Sequence, residues 1–201
     1  MNRNVDSMSS RQRFLIVCEG VKTEPLYFKN FRVPRLCVEV IGEGRVTTSL
    51  VEEALRLSAE AKKRKEPYDQ VWCMFDKDDN STDQFERAII IAKNNGIKVA
   101  YSNQSFELWY VLHFDYMDNA INRSQYIQIL NEHFSRLFSC EYKKNDSDTY
   151  NNLKRFRGEA IQSSDRLLAE HGNIQPGKAD PSTTVHLLVQ ELLKHAKPYN
   201  P

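Results

Sequence analysis

The chain has 201 residues, 40% of them hydrophobic and 27% charged, and carries a formal net charge of +1. This is the composition of an ordinary globular protein, long enough for one domain, or one domain with an appendage, around a real hydrophobic core. Near-neutrality excludes a globally basic surface, so any nucleic-acid partner has to be met by a local patch.

The four cysteines, Cys18, Cys37, Cys73 and Cys140, lack CxxC spacing. That argues against a zinc site or a disulfide framework, and the apolar runs around the first three favour buried thiols. No N-terminal stretch resembles a signal peptide, and no apolar run reaches the roughly 20 residues of a membrane helix. A cytoplasmic location is expected.

Residues 1–11 are polar and read as a flexible tail. Residues 13–18 form an apolar run ended by Glu19-Gly20, a buried strand entering a loop. Thr23-Glu24-Pro25 opens a helix, with Thr23 as its cap and Pro25 in its first turn. Leu26, Tyr27, Phe28 and Phe31 supply its packing side. Leu36 to Ile41 is a second strand, closed by Gly42-Glu43-Gly44. Ser49-Leu50-Val51-Glu52 fits a capping box, and the helix it starts runs into Lys62-Lys63-Arg64-Lys65, cations suited to a helix C-terminus.

Gln70 to Phe75 is the third strand. Ser81 or Thr82 caps a helix over 83–94, which stops at Asn94-Asn95-Gly96. Ile97 to Tyr101 is the fourth strand. Strands alternating with helices imply an α/β fold: a four-stranded parallel sheet with right-handed crossovers, order 2-1-3-4, and helices on both faces. From Phe106 the alternation stops, and helices are expected over 106–114, 124–138, 149–171 and 181–196. The expected organisation is a tail over 1–11, an α/β core over 12–115 and a helical addition over 116–201, packed together as one unit.

Glu19 follows the first strand, and Asp76 and Asp78 follow the third. Strand C-termini are where open α/β sheets place ligands. In the order 2-1-3-4 these two strands are neighbours, about 4.8 Å apart, so the three acids flank one crevice. They repel one another unless a proton or a cation lies between them. Asp76 and Asp78 point the same way in an extended segment, and Asp79 faces away. Hard oxygen ligands suit Mg²⁺ or Mn²⁺, which also accept substrate phosphate oxygens. Such an ion stabilises the attacking and leaving oxygens of a phosphodiester.

A glutamate closing the first strand and a DxD closing the third resemble the Toprim domain. That resemblance implies Mg²⁺ held by Asp76 and Asp78, with Glu19 as general acid/base. A second resemblance covers most of the chain. It rests on Cys18-Glu19-Gly20-Val21-Lys22-Thr23-Glu24-Pro25-Leu26-Tyr27-Phe28, Asp76-Lys77-Asp78-Asp79, Ser102-Asn103-Gln104-Ser105-Phe106-Glu107-Leu108-Trp109 and Pro181-Ser182-Thr183-Thr184-Val185. This ordered set is similar to the RloB-like family. It implies a prokaryotic Toprim-type nuclease, linked to restriction or anti-phage loci and often accompanied by an AAA-type ATPase, that cuts DNA or RNA. In the related overcoming-lysogenisation-defect nucleases an extra acid serves a second metal, and Glu107 is the analogous residue here. A glutamate at a helix N-terminus is also favoured by the dipole alone.

Lys22, in the loop after Glu19, is suited to stabilising charge on a scissile phosphate. Lys143, Lys144, Arg155, Arg157 and Ser182 are the candidates for contact with a phosphate backbone. Ser102 and Asn103 read as helix caps or phosphate contacts, and His113 as a packed histidine. Phe106, Trp109, Tyr110 and Phe114 recur at helical spacing and read as core. The alternative to a nuclease is a catalytically silent Toprim-shaped binding or sensor subunit of an ATPase complex. The helical half is free to form a homodimer or to dock the ATPase.

Overall fold

The computed structural model describes residues 11–31, 33, 36–44, 47–78 and 80–195. The expected tail, apart from Arg11, lies outside them, as do Asp79 and the end of the last predicted helix. Strands β1 (Gln12–Cys18), β2 (Leu36–Gly42), β3 (Gln70–Asp76), β4 (Lys98–Asn103) and β5 (Ser182–Thr183) form one sheet in the order β2-β1-β3-β4-β5. The first four run parallel, in the order read from the sequence. The fifth is antiparallel and corrects that reading: Ser182 and Thr183 pair with Asn103 and Ser102 instead of opening a helix.

Side-chain alternation along the central strands explains why both faces must be covered. Phe14, Ile16 and Cys18 on β1, with Trp72 and Met74 on β3, enter one buried cluster. Leu15 and Val17, with Val71, Cys73 and Phe75, enter the other. A strand buried on both sides reads as a continuous apolar run, which is how these two read. The second cluster is closed by α2 (Thr47–Lys63), through Leu50, Val51 and Ala54, and by α3 (Thr82–Asn94), through Phe85, Ala88 and Ala92. The first is closed by α1 (Thr23–Lys29), α4 (Glu107–Val111), α5 (Arg123–Phe138), α6 (Thr149–Leu153), α7 (Arg157–His171) and α8 (Val185–Leu193).

Several local expectations change. Ser81 caps α3 with the full capping box to Gln84. Ser49, in contrast, lies inside α2, which starts at Thr47. Thr23 is the first helical residue of α1 and makes no capping bond; its hydroxyl reaches Asn145 instead. The helix expected over 149–171 is broken by a 3₁₀ turn at Lys154–Phe156. Beyond that turn, the Arg157 guanidinium lies over the rings of Phe31 and Tyr150. Cys37 is exposed because β2 is the sheet edge, whereas Cys18 and Cys73 are buried. Among the described residues, no helix is long and apolar enough to cross a membrane.

Candidate active site

β1 and β3 are adjacent, and their last paired residues are Cys18 and Met74. The Glu19 N–H continues the ladder to the Met74 carbonyl at 2.8 Å. Two residues on, the Asp76 N–H donates to Glu19 Oε2 at 3.1 Å. Asp76 Oδ2 accepts the Phe106 N–H at 3.0 Å, which ties the carboxylate to the segment that follows β4. Its Oδ1 is buried without a hydrogen-bond partner among the described residues.

Asp78 departs from the sequence reading. The chain leaves the extended conformation after β3, and Asp78 takes a φ of +38°. Asp tolerates this left-handed region better than most residues. Its N–H donates to the Gln104 carbonyl, and its Oδ1 lies 2.5 Å from Arg123 Nη2. Asp76, at the end of β3, and Asp78, in the turn after it, therefore reach the same cavity without lying side by side along a strand.

That cavity, of about 490 Å³, is lined by Glu19, Glu24, Asp76, Asp78 and Glu107, with Lys22 and Lys144 among its other walls. Glu24 is the acid that the sequence reading missed. It is buried in the first turn of α1, and the absence of a side chain at Gly20 leaves room for it: a Cβ there would stand 2.2 Å from Glu24 Oε2. A glycine four residues ahead of an acid in a site loop was the available signal. Glu107, only 3% exposed at its side chain, meets Lys144 Nζ at 3.3 Å, and the Tyr142 hydroxyl stands 3.5 Å from the same oxygen.

Crowding and burial set the electrostatics. Burial lifts the Glu19 carboxyl to about 7, opposed by the Asp76 N–H and reinforced by Glu24 and Asp78. Burial raises Asp76 well above the carboxylate range, and Glu24, Glu107 and Glu19 push the same way. Glu24 is raised chiefly by burial, then by Glu107, against the N–H groups around it and Lys144. A site that holds protons in this way is short of positive charge.

The remaining predicted residues divide. Lys22 is exposed at the start of α1 and lines the cavity, as does Lys144. Lys143 is exposed but is not part of that lining. Arg155 is exposed and lies over the rings of Phe138 and Phe156. Arg157 is held over Phe31 and Tyr150. Ser182 is fully buried and donates to the Ala179 carbonyl at 2.7 Å, which turns its hydroxyl inward. Ser102 and Asn103 do not cap α4: Ser102 bonds Thr183, and Asn103 donates to Ala179. His113 is buried, its Nδ1 is 2.8 Å from the Trp109 carbonyl, and burial pulls it down to about 3, so it stays neutral.

The family model described as RloB-like protein matches residues 14–192. The chain belongs to the RloB-like family. The match takes in β2 to β5, β1 from Phe14 onward, and every acid in the cavity of this RloB-like chain. Comparison with curated proteins and with solved structures returns no match.

Among the described residues, no three acidic, histidine or cysteine side chains are grouped closely enough to hold a metal ion as they stand. The donor set nonetheless fits a hard divalent cation in one respect. Asp76 offers an unpartnered buried oxygen, and Mg²⁺ commonly takes only one or two carboxylates together with water and substrate phosphate.

Proposed function

We propose that this RloB-like chain is a Toprim-type nuclease that cleaves phosphodiesters in DNA or RNA with Mg²⁺ or Mn²⁺, as part of a prokaryotic anti-phage system. The observation that carries the reading is the gathering of five acids in one cavity at the junction of β1 and β3. Asp76 and Asp78 would hold the cation, with Glu107 as a further ligand. A bound cation of this kind offsets charge on the phosphate oxygens.

Glu19, lifted to about 7, exchanges its proton near neutral pH, which suits general acid/base work. The Asp76 N–H bond holds its carboxylate in one orientation. Lys22, exposed on the cavity wall, is suited to stabilise negative charge developing on the phosphate. The net charge of +1 provides no long-range attraction for a polyanion, so delivery of the substrate falls to a partner, for which an AAA-type ATPase is proposed.

A silent binding or sensor subunit is the second reading. One observation favours it: Asp78 and Glu107 already have cationic partners in Arg123 and Lys144. Incubation of the purified chain with plasmid DNA, single-stranded DNA and bulk tRNA in Mn²⁺ or Mg²⁺ decides between them. Cleavage abolished by Asp76→Asn and by chelator is expected. Cleavage that survives Asp76→Asn contradicts the site, and absence of cleavage, alone and with the ATPase, favours the silent subunit.

A further inference from the structure

The two ends of the sheet carry opposite charge. The acids of the cavity gather where β1 and β3 end. Helices that connect parallel strands finish at the other end, where the strands begin. Lys62 and Lys63 close α2 there, and Arg64 and Lys65 follow it. Lys93 lies in the last turn of α3, and Arg11 precedes β1. All of these cations are exposed, and none has a carboxylate in ion-pair range among the described residues. The seven residues of β1 put about 20 Å between the two ends.

The nearby carboxylates already have donors. Glu66 Oε2 stands 3.8 Å from Arg13 Nη1, and Asp69 Oδ2 accepts the Arg13 N–H at 2.7 Å. Glu191 takes Lys194 Nζ at 2.8 Å and the Gln70 amide at 2.7 Å. The remaining cations are therefore surplus. Helix dipoles account for Lys62, Lys63 and Lys93 but not for Arg11, Arg64 or Lys65, which lie outside the helices. Arg11, Arg13 and Lys65 also wall a cavity of about 560 Å³, completed by Glu66, Pro67 and Asp69. It offers no large apolar side chain. Protein interfaces rely on buried apolar and aromatic anchors and are poor in lysine. A phosphodiester backbone asks only for clustered positive charge.

We propose that this basic end, formed by Arg11, Lys62, Lys63, Arg64, Lys65 and Lys93, binds the backbone of a nucleic acid on the side of the sheet remote from the acid cavity. The inference rests on the nuclease reading for the class of polyanion. It separates holding the strand from cutting it, so binding needs no metal. The net charge of +1 is compatible with this, because a local patch acts over about 8 Å at physiological salt whatever the total.

The test is fluorescence anisotropy on the full chain in chelator, with labelled duplex DNA, single-stranded DNA and RNA oligonucleotides, across a range of salt. The wild-type chain should bind at least one of them. The triple variant Lys62→Gln, Lys63→Gln, Lys65→Gln should weaken that binding about ten- to a hundredfold at low salt. The slope of log affinity against log salt should become shallower by about two to three. The corresponding Lys→Arg triple keeps the charge and should bind like wild type, which guards against a merely structural loss. Arg87→Gln, Lys154→Gln, Lys178→Gln removes the same charge elsewhere on the surface and should leave the slope unchanged. Wild-type chain that binds none of the probes overturns the proposal. So does equal loss in both Gln triples, or an unchanged slope in the first. Displacement of the oligonucleotide by polyglutamate as readily as by unlabelled oligonucleotide overturns it in favour of an acidic protein. None of these results touches the nuclease reading, which the Mn²⁺ cleavage assay with Asp76→Asn judges separately.

Discussion

Replacing Glu19 by Gln should stabilise the metal-free protein, and only above acidic pH. Folding lifts the Glu19 carboxyl from 4.5 to about 7, mainly through burial. The folded protein keeps a proton that the unfolded chain releases in this interval, so stability falls as pH rises through it. A one-unit difference in pKa is worth about 1.4 kcal/mol, and the full rise corresponds to roughly 3 kcal/mol. Solvent still reaches this group, and screening reduces the figure to about 2 kcal/mol. For a chain of this size that is a gain of roughly 4–8 °C in Tm. The Gln oxygen still accepts the Asp76 N–H, so no hydrogen bond is lost with the charge. Thermal unfolding followed by circular dichroism, in chelator, from pH 5 to 8 reads the effect. Wild type and Glu19→Gln should melt together at pH 5 and diverge at pH 8. A gap that does not change with pH, or a variant that melts lower at pH 8, refutes the reasoning.

Three further outcomes follow from packing. At Gly42 an added Cβ would meet Gly20 O at 2.6 Å and Val21 Cα at 2.7 Å, both backbone. Gly42→Ala should therefore cost about 1–3 kcal/mol in urea unfolding and reduce cleavage by displacing the Glu19 loop; an unchanged midpoint would contradict this. Ser182→Ala should lower stability by about 1 kcal/mol through the lost bond to Ala179. It should leave oligonucleotide affinity unchanged in the anisotropy assay, because the hydroxyl is buried. Ser81→Ala removes the α3 capping box and should cost about 1 kcal/mol by the same unfolding measurement.

Residues whose role is local in sequence were legible. The runs of β1 and β3 carry side chains into both clusters, so they read as buried strands. The Ser81–Gln84 box and Gly96, at φ +71°, mark the ends of α3. The placement of Glu19 and Asp76 at the ends of neighbouring strands was legible because a strand end fixes a position whatever follows it. What was missed depends on contacts between distant segments. β5 is two polar residues long, and only its pairing with Ser102 and Asn103 makes it a strand. The same pairing extends β4 beyond its apolar run. Asp78 turns aside because the chain after β3 bonds to the end of β4, which leaves its carboxylate facing Arg123. Glu24 reads as an ordinary first-turn acid until Gly20 is seen to make room for it. Lys144 reads as one of two surface lysines until its loop is tied to Thr23.

The most direct test of the central claim is Mn²⁺ anomalous scattering from a crystal of the protein soaked in that ion. The account predicts a peak in the cavity beside Asp76 Oδ1, lost in Asp76→Asn crystals treated in the same way. A peak elsewhere, or a soaked wild-type crystal with no peak in the cavity, would contradict it.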